Sequence, residues 1–517
     1  MTITASSGRV AIIGAGIAGL TAAIDLARAG LAVTVFERAA APGGKMREVC
    51  VAGRYLDAGP TVFTLRDVFD SLYADAGANF SEQVKLIPAN VLARHAWNSP
   101  EHLDLYADLE QSADAIGRFA GPADRAGFLR FAAQAKRIYT TLNASFMRAS
   151  RPTPISLGRR IGLGNVGDLL NIQPFTTLFK GISGYFEDPR LRQLFARYAT
   201  YCGSSPYQSP ATLMLIAHVE QAGVWYVEGG MHRLATSLAS LAQSLGAEFR
   251  YQAEVAAIDV QGGRVAALET RDGERHACAA IVSNADNKAL ATGLFGPLTA
   301  SAVRATSLTA RSLSALTWNL VATTSGFELA RHTVFFGGAY RSEFEDIFQH
   351  QRLPGDPTVY VCAQDRYDGA GEHELGPERL LCLVNAPPIG DRHEFGSAEI
   401  ERCEIKTFER LERCGLRLER SPQATQVTTP SDFERLFPAT GGALYGPASH
   451  GWLSSFTRPG SRSKVPGLYL AGGSTHPGAG VPMAAISGRL AAASVLADSA
   501  STARSRRAAM PGGTSMR

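Results

Sequence analysis

The seven cysteines, Cys50, Cys202, Cys278, Cys362, Cys382, Cys403 and Cys414, form no CxxC pair and are odd in number. This scatter excludes a zinc ribbon or a disulfide framework and reads as reduced thiols used for packing in a cytosolic protein. None of the eleven histidines has HxxxH or HExxH spacing, so no two imidazoles share a helix face and no metal site is expected. Charge of one sign is also scarce: 51 Lys and Arg face 47 Asp and Glu, for a net charge of +4. Without a basic block to track a phosphate backbone, nucleic acid is not an expected partner. Long apolar runs are missing as well. Asp25 interrupts the first candidate and Arg489 the last, so no spanning helix is predicted and any membrane contact would be peripheral. Arg9 precedes an apolar run as in a secretory leader, but that run carries a glycine turn that export would remove. No conventional catalytic triad is visible. The remaining composition, 45% hydrophobic and 19% charged over 517 residues, is ordinary globular material, long enough for two domains.

Glycine is present where it matters. In Val10–Glu37, VAIIGAGIAGLTAAIDLARAGLAVTVFE, the residues Gly14, Ala15, Gly16, Ile17, Ala18 and Gly19 join a short apolar strand to an amphipathic helix. The first glycine suits a tight turn, the second a close approach of backbone to a pyrophosphate, and the third helix-on-strand packing. The helix N-terminus offers free N–H groups to the anion. Glu37 ends the second apolar run where a carboxylate can accept from ribose hydroxyls. Next come Pro42, Gly43, Gly44 and Lys45, a turn with a cation beside it, which suits a phosphate; a plain turn with a solvated lysine is the alternative. DAGPT, with Asp57, Gly59, Pro60 and Thr61, makes a poor helix and a poor central strand, so it is expected to be a loop in close contact with something.

From about Asp67 to Ser150 the pattern predicts helix, with Phe131, Ile138, Leu142 and Phe146 on one face. Between Arg159 and Phe186, Arg159, Arg160 and Lys180 mix with Phe175, Phe179 and Phe186. That composition suits an anionic membrane surface, and also core packing. Residues 229–285 predict a helix, a strand, a hairpin and a further strand appended to the first unit. Between about Ala291 and Thr440, LTWNLVAT, TVYVCAQD and LLCLVNAP predict an antiparallel sheet. GLYLAGGSTHPGAGVPMAAISGRL then repeats the strand, glycine turn and helix, aiming a second helix N-terminus at a ligand. Beyond Asp498 the small, polar and basic residues predict a frayed tail.

Two glycine-rich strand-to-helix elements at opposite ends of one chain fit a long two-ended cofactor, and FAD is the economical choice. With DAGPTVFTLRDVFD, YATYCGSSPYQSPATL, VEGGMHRL and LYLAGGSTHPGAGVP, the chain from about Arg9 to Asp498 resembles the carotenoid desaturase family of flavoproteins. It is similar to the branch acting on hydroxylated or methoxylated acyclic carotenoids at the C3–C4 bond. The resemblance implies an α/β fold with a discontinuous Rossmann-type FAD-binding domain. It also implies an α+β substrate domain with an antiparallel sheet and a helical insertion. The expected segments are 1–90, 221–290 and 441–498 for the cofactor, 91–220 and 291–440 for the substrate, and 499–517 as a disordered tail.

The resemblance also implies hydride transfer to FAD. Gly14 to Gly19, Glu37, Arg38, Gly43, Gly44, Lys45 and Met46 would lie on the ADP side. Gly59, Pro60 and Thr61 would also border the cofactor, Val255 would meet the adenine through its backbone, and Gly472, Gly473, Val481, Pro482 and Met483 would border the flavin. Ser474 and Met483 stand where phytoene desaturases carry glycine, and Lys45 where related flavoproteins carry arginine, a point charge in place of a fork. His476 is the titratable residue nearest the expected flavin, a candidate for proton transfer or for a structural role. The expected partners are a carotenoid, a membrane surface on the cytoplasmic side of the inner photosynthetic membrane, and oxygen or a quinone as electron acceptor. Rival readings are a phytoene desaturase, a redox-neutral carotenoid isomerase, a flavin amine oxidase, and a prenyl-binding carrier of the GDP-dissociation-inhibitor type.

Overall fold

The computed structural model describes residues 8–98, 101–161, 172–303, 311–367 and 376–508. Five parallel strands form one sheet in the order Leu468–Leu470, Ala280–Ser283, Arg9–Ile13, Ala32–Phe36, Glu248–Arg250. Three distant parts of the chain therefore meet in it. The strands Arg9–Ile13, Ala280–Ser283 and Leu468–Leu470 are short, mainly apolar runs that are almost wholly buried, as a parallel sheet between helices requires, while the edge strand Glu248–Arg250 is largely polar and exposed. Helix Ile17–Arg28 is buried over nearly all its length between the sheet and helix Val481–Ala508. The two helices touch through small residues: a Cβ at Gly488 would stand 2.1 Å from the Ala18 carbonyl oxygen. Arg489, the charge that interrupts the last apolar run, bonds the Asp25 carboxylate at 3.0 Å. Val481–Ser501 is long and apolar enough to cross a membrane. Here it packs on the nucleotide-type sheet, with Ala485, Ala491, Ala492 and Val495 in the core. The helix runs ten residues past the expected boundary at Asp498.

The second sheet has eight strands. Its main path is Leu416–Glu419, Ser314–Gly326, Glu378–Ala386, Val359–Ala363, His332–Phe335, Val91–Ala96 and His102–Tyr106, with Thr425–Thr428 also paired to Ser314–Gly326. LTWNLVAT, TVYVCAQD and LLCLVNAP fall on three of its central strands. Period-2 alternation divides its faces. Leu316, Trp318, Leu320, Leu380, Cys382, Val384, Val359 and Val361 pack beneath helix Ser397–Arg413 through Cys403, Phe408 and Leu411. The opposite face presents Thr317, Leu381, Leu383, Asn385, Tyr360 and Val334 to two cavities.

The stretch 67–150 is not helical throughout. Leu86–Pro88, Val91–Ala96 and His102–Tyr106 are strands, and VLARHA and HLDLY pair with each other and extend the second sheet. Pairing of Val91–Ala96 with His332–Phe335 decided this over local propensity. Helix Pro122–Leu142 does bury Phe131, Ile138 and Leu142 on one face, while Phe146 lies just beyond it in a wider turn. The helices of residues 109–221 pack over the second sheet and roof its cavity.

Candidate functional site

A cavity of about 650 Å³ runs along the carboxyl ends of the parallel strands, lined from its outer end by Glu37, Arg38, Glu254 and Val255 and at its inner end by Gly472, Gly473 and Val481. Sheets of this kind place ligands there. The glycine turn is built by contacts that allow no side chain. The Gly14 N–H bonds Phe36 O at 2.8 Å with φ +93°, and a Cβ at Gly19 would lie 2.1 Å from the Gly14 carbonyl oxygen. No side chain caps the helix after Gly16, so its first N–H groups stay open to the cavity that Gly16, Ile17 and Ala18 line. The Glu37 carboxylate is buried and accepts from the Ala15 N–H at 2.7 Å and the Ala39 N–H at 2.8 Å, which fixes it at the cavity wall.

The PGGK turn docks on the first glycine turn, Gly43 N–H to Ala15 O at 2.9 Å. Lys45 reaches inward and donates to Leu444 O at 2.7 Å. Burial lowers its pKa, while Asp286 on the cavity wall opposes that shift. Gly59 is a close-approach position, since its Cβ would stand 1.8 Å from Lys45 O. The loop is anchored by Asp57, whose carboxylate accepts from Met231 N–H at 2.8 Å and whose carbonyl accepts from the side chains of Asn319 and Gln364. At the C-terminal element, buried Arg458 donates to Gly473 O at 2.5 Å and Pro447 O at 2.7 Å, holding the glycine turn that closes the cavity.

A second cavity of about 430 Å³ adjoins the first, and Gly59, Pro60, Leu381, Leu383, Tyr445, Ala479, Gly480 and Val481 line both. Its walls are mainly apolar, among them Leu142, Met147, Leu157, Ile172, Leu213 and Ile216. The carboxyl groups it meets are raised by burial or paired. Burial raises Glu343 to about 7 against hydrogen bonds from Asn385 and Thr358. The Glu220 carboxylate accepts from the hydroxyls of Tyr198 and Tyr201, both at 2.6 Å. Near Leu157, Ile172 and Trp452 of its lining, Ile155, Phe175, Trp452 and Leu453 are exposed, and the Phe175 and Trp452 rings lie 5.2 Å apart. Exposed Arg159, Arg160 and Lys180 belong to the same region of chain; its residues 162–171 lie outside the described ones.

Of the residues marked from sequence, Gly14, Gly16, Ile17, Ala18, Glu37, Arg38, Gly43, Gly44, Lys45, Met46, Gly59, Pro60, Val255, Gly472, Gly473 and Val481 line the first cavity. Ala15 and Gly19 lie behind its wall. Thr61, Pro482 and Met483 face the second cavity instead, because the loop and the helix start both cross the junction. His476 stands apart from both cavities; its Nε2 lies 3.0 Å from both Phe146 O and Ala149 O, and burial lowers it to about 4. It is a neutral tether for the turn after helix Pro122–Leu142. Sequence reasoning missed Asn284, which packs against Gly14, Gly16 and Gly19 from the opposite wall. It also missed Asn287, which bonds Ser474 O at 2.9 Å, and Arg458. A polar residue just after an apolar strand, as in VSNAD, was the available signal for the asparagines. Among the described residues no group of acidic, histidine or cysteine side chains could hold a metal.

The sequence pattern of the flavin-containing amine oxidoreductases matches residues 17–496. The chain is 53% identical over 511 residues to hydroxyneurosporene desaturase of Rubrivivax gelatinosus, covering 98% of this chain and 97% of that one. It is 44% identical to the enzyme of that name from Cereibacter sphaeroides, over 96% and 99% of the two chains. Among solved structures, an oxidoreductase from Methanosarcina mazei shares the fold at a TM-score of 0.57 and 16% identity, over 95% of this chain and 100% of the other. The chain therefore belongs to the flavin-containing amine oxidoreductases and, within them, to the carotenoid desaturases. It is an FAD-dependent oxidoreductase.

Proposed function

We propose that the protein desaturates an acyclic carotenoid bearing a hydroxyl or methoxyl group on C1, removing two hydrogens across C3–C4. The observation that carries this reading is the junction of a nucleotide-type cavity with an apolar one, in a chain 53% identical over nearly its full length to a hydroxyneurosporene desaturase. FAD would lie with its ADP half on Gly14 to Gly19, Glu37 and the Gly43–Lys45 turn, its adenine at Val255, and its flavin end by Gly472, Gly473 and Val481. Bound there, FAD would take up the two hydrogens as a hydride and a proton, with oxygen or a quinone as the onward electron acceptor. The chain's own residues do the positioning. Leu381 and Leu383 form a flat apolar floor at the junction, Tyr445 and Val481 bound it, and apolar walls hold the polyene in register and exclude water.

A polyene of this kind resides in membrane, so it must enter through an apolar mouth. Ile155, Phe175, Trp452 and Leu453, with Arg159, Arg160 and Lys180 nearby, form the proposed docking surface for peripheral attachment to the cytoplasmic face of an anionic bilayer. The test is mass and absorption analysis of 1-hydroxyneurosporene incubated with FAD-loaded protein in liposomes, beside a parallel incubation with phytoene. Loss of two hydrogens and a red shift with the hydroxylated substrate alone is the expected result. Conversion of phytoene instead overturns the substrate assignment, and changed double-bond geometry at constant mass means an isomerase.

A further inference from the structure

The floor of the substrate cavity is the second sheet, and its register orders the side chains in rows. Leu383 stands opposite Tyr360, and Tyr360 opposite Val334; in the neighbouring row Leu381 stands opposite Cys362, and Cys362 opposite His332. Alternation puts all six on one face, and adjacent strands lie about 4.8 Å apart. Leu381 and Leu383 line both cavities, so Tyr360 is one strand beyond the junction. From the roof side, Thr61 follows Gly59 and Pro60, which also line both cavities. Sheet and loop meet in a hydroxyl pair: Thr61 Oγ1 lies 2.7 Å from Tyr360 Oη, and Tyr360 Oη lies 2.7 Å from His332 Nδ1. His332 Nε2 is buried and has no partner among the described residues.

This chain sits where an oxygenated substrate would need it. An oxygen on C1 is three bonds from C3, so when C3–C4 lies at the junction the oxygen lies beside it. The two carboxyl groups of the cavity are engaged elsewhere, Glu343 with Asn385 and the Thr358 N–H, and Glu220 with two tyrosines; the buried Tyr340 hydroxyl, which also lines the cavity, has no partner among the described residues but belongs to no such chain. Resting on the functional reading above, we propose that Thr61 recognises the terminal oxygen of the substrate, with Tyr360 and His332 as positioning residues that set the direction of its hydrogen bond.

The direction is reversible because every member can donate or accept. Burial holds the His332 imidazole neutral, at about 3, with Arg331 and Arg197 opposing a second proton. With its proton on Nε2, His332 accepts from Tyr360, Tyr360 accepts from Thr61, and a lone pair of Thr61 is left to accept from a substrate hydroxyl. With the proton on Nδ1 every bond reverses, and Thr61 donates to a substrate oxygen. An ether oxygen can only accept, so a methoxylated end requires the second state, whereas a hydroxylated end uses either. One chain thus serves both kinds of substrate and offers an oxygen-free end nothing.

The test uses FAD-loaded protein with Thr61→Val, Thr61→Ser and Tyr360→Phe. Its probes are three acyclic carotenoids of equal length, bearing 1-hydroxyl, 1-methoxyl or no oxygen. Steady-state rates are read beside equilibrium binding by quenching of tryptophan emission, with flavin absorbance as the folding control. Thr61→Val is expected to lower kcat/KM and affinity about tenfold for both oxygenated substrates, and not for the oxygen-free one. Thr61→Ser retains the wild-type preference. Tyr360→Phe uncouples Thr61 from His332 and shifts the hydroxyl-to-methoxyl ratio about threefold or more. Undiminished preference for oxygenated ends in flavin-replete Thr61→Val overturns the proposal. If that variant loses flavin, an unchanged hydroxyl-to-methoxyl ratio in Tyr360→Phe overturns it. A wild type that handles all three substrates alike removes the functional reading itself, and the inference with it.

Discussion

Glu343 provides a stability signature of the second cavity's wall. The residue is 1% exposed, lines the second cavity, and its carboxyl accepts from Asn385 Nδ2 at 2.9 Å and the Thr358 N–H at 3.2 Å. Loss of hydration outweighs those bonds, with Asp356 adding repulsion, and raises the group from 4.5 to about 7. The folded protein therefore keeps this proton over a range of pH in which the unfolded chain has released it. Stability from the neutral form is complete below pH 4.5 and is lost as pH rises through 7, at about 1.4 kcal/mol per unit, for a total of about 3 kcal/mol. Urea unfolding of wild type and Glu343→Gln across this window measures it. The glutamine variant should carry a fixed cost for its mismatched amide but lose the downward slope, so that the two curves converge at the alkaline end. Parallel curves would refute the argument that burial keeps this wall of the cavity uncharged.

Gly19→Ala places a methyl group 2.1 Å from the Gly14 carbonyl oxygen, so the purified protein should lose its flavin absorbance per mole of protein. Arg489→Ala leaves the Asp25 carboxylate buried without its main partner, and the urea midpoint should fall by the equivalent of about 3–5 kcal/mol. His476→Ala frees two carbonyls and should cost about 1–3 kcal/mol of stability while turnover per bound FAD is retained; a collapse in turnover at full FAD would return His476 to the chemistry. Charge reversal at Arg159, Arg160 and Lys180 should weaken sedimentation with anionic liposomes by about 1 kcal/mol per charge, an effect that added salt removes.

Local rules fix a good part of this protein. Strand, glycine turn and helix are encoded within a few residues, because only glycine tolerates the φ of Gly14 and the contact at Gly19, and those constraints are visible without neighbours. The period-2 runs between Ala291 and Thr440 are legible for the same reason. The length of the helix from Val481 and the burial of Arg489 against Asp25 are not, since the partner lies 464 residues away.

What the sequence by itself determined is the glycine turn between the first strand and helix, whose geometry is set by backbone sterics over short spans. What only the tertiary structure decided is which side of the junction each residue faces. Thr61 and Met483 are near neighbours in sequence of glycines that line the first cavity yet turn toward the second, and His476 turns away from both. Likewise Thr61, His332 and Tyr360 become one hydrogen-bonded chain through the register of one sheet and the anchoring of one loop by Asp57. Side-chain direction at such points follows from long-range packing, which no local pattern contains.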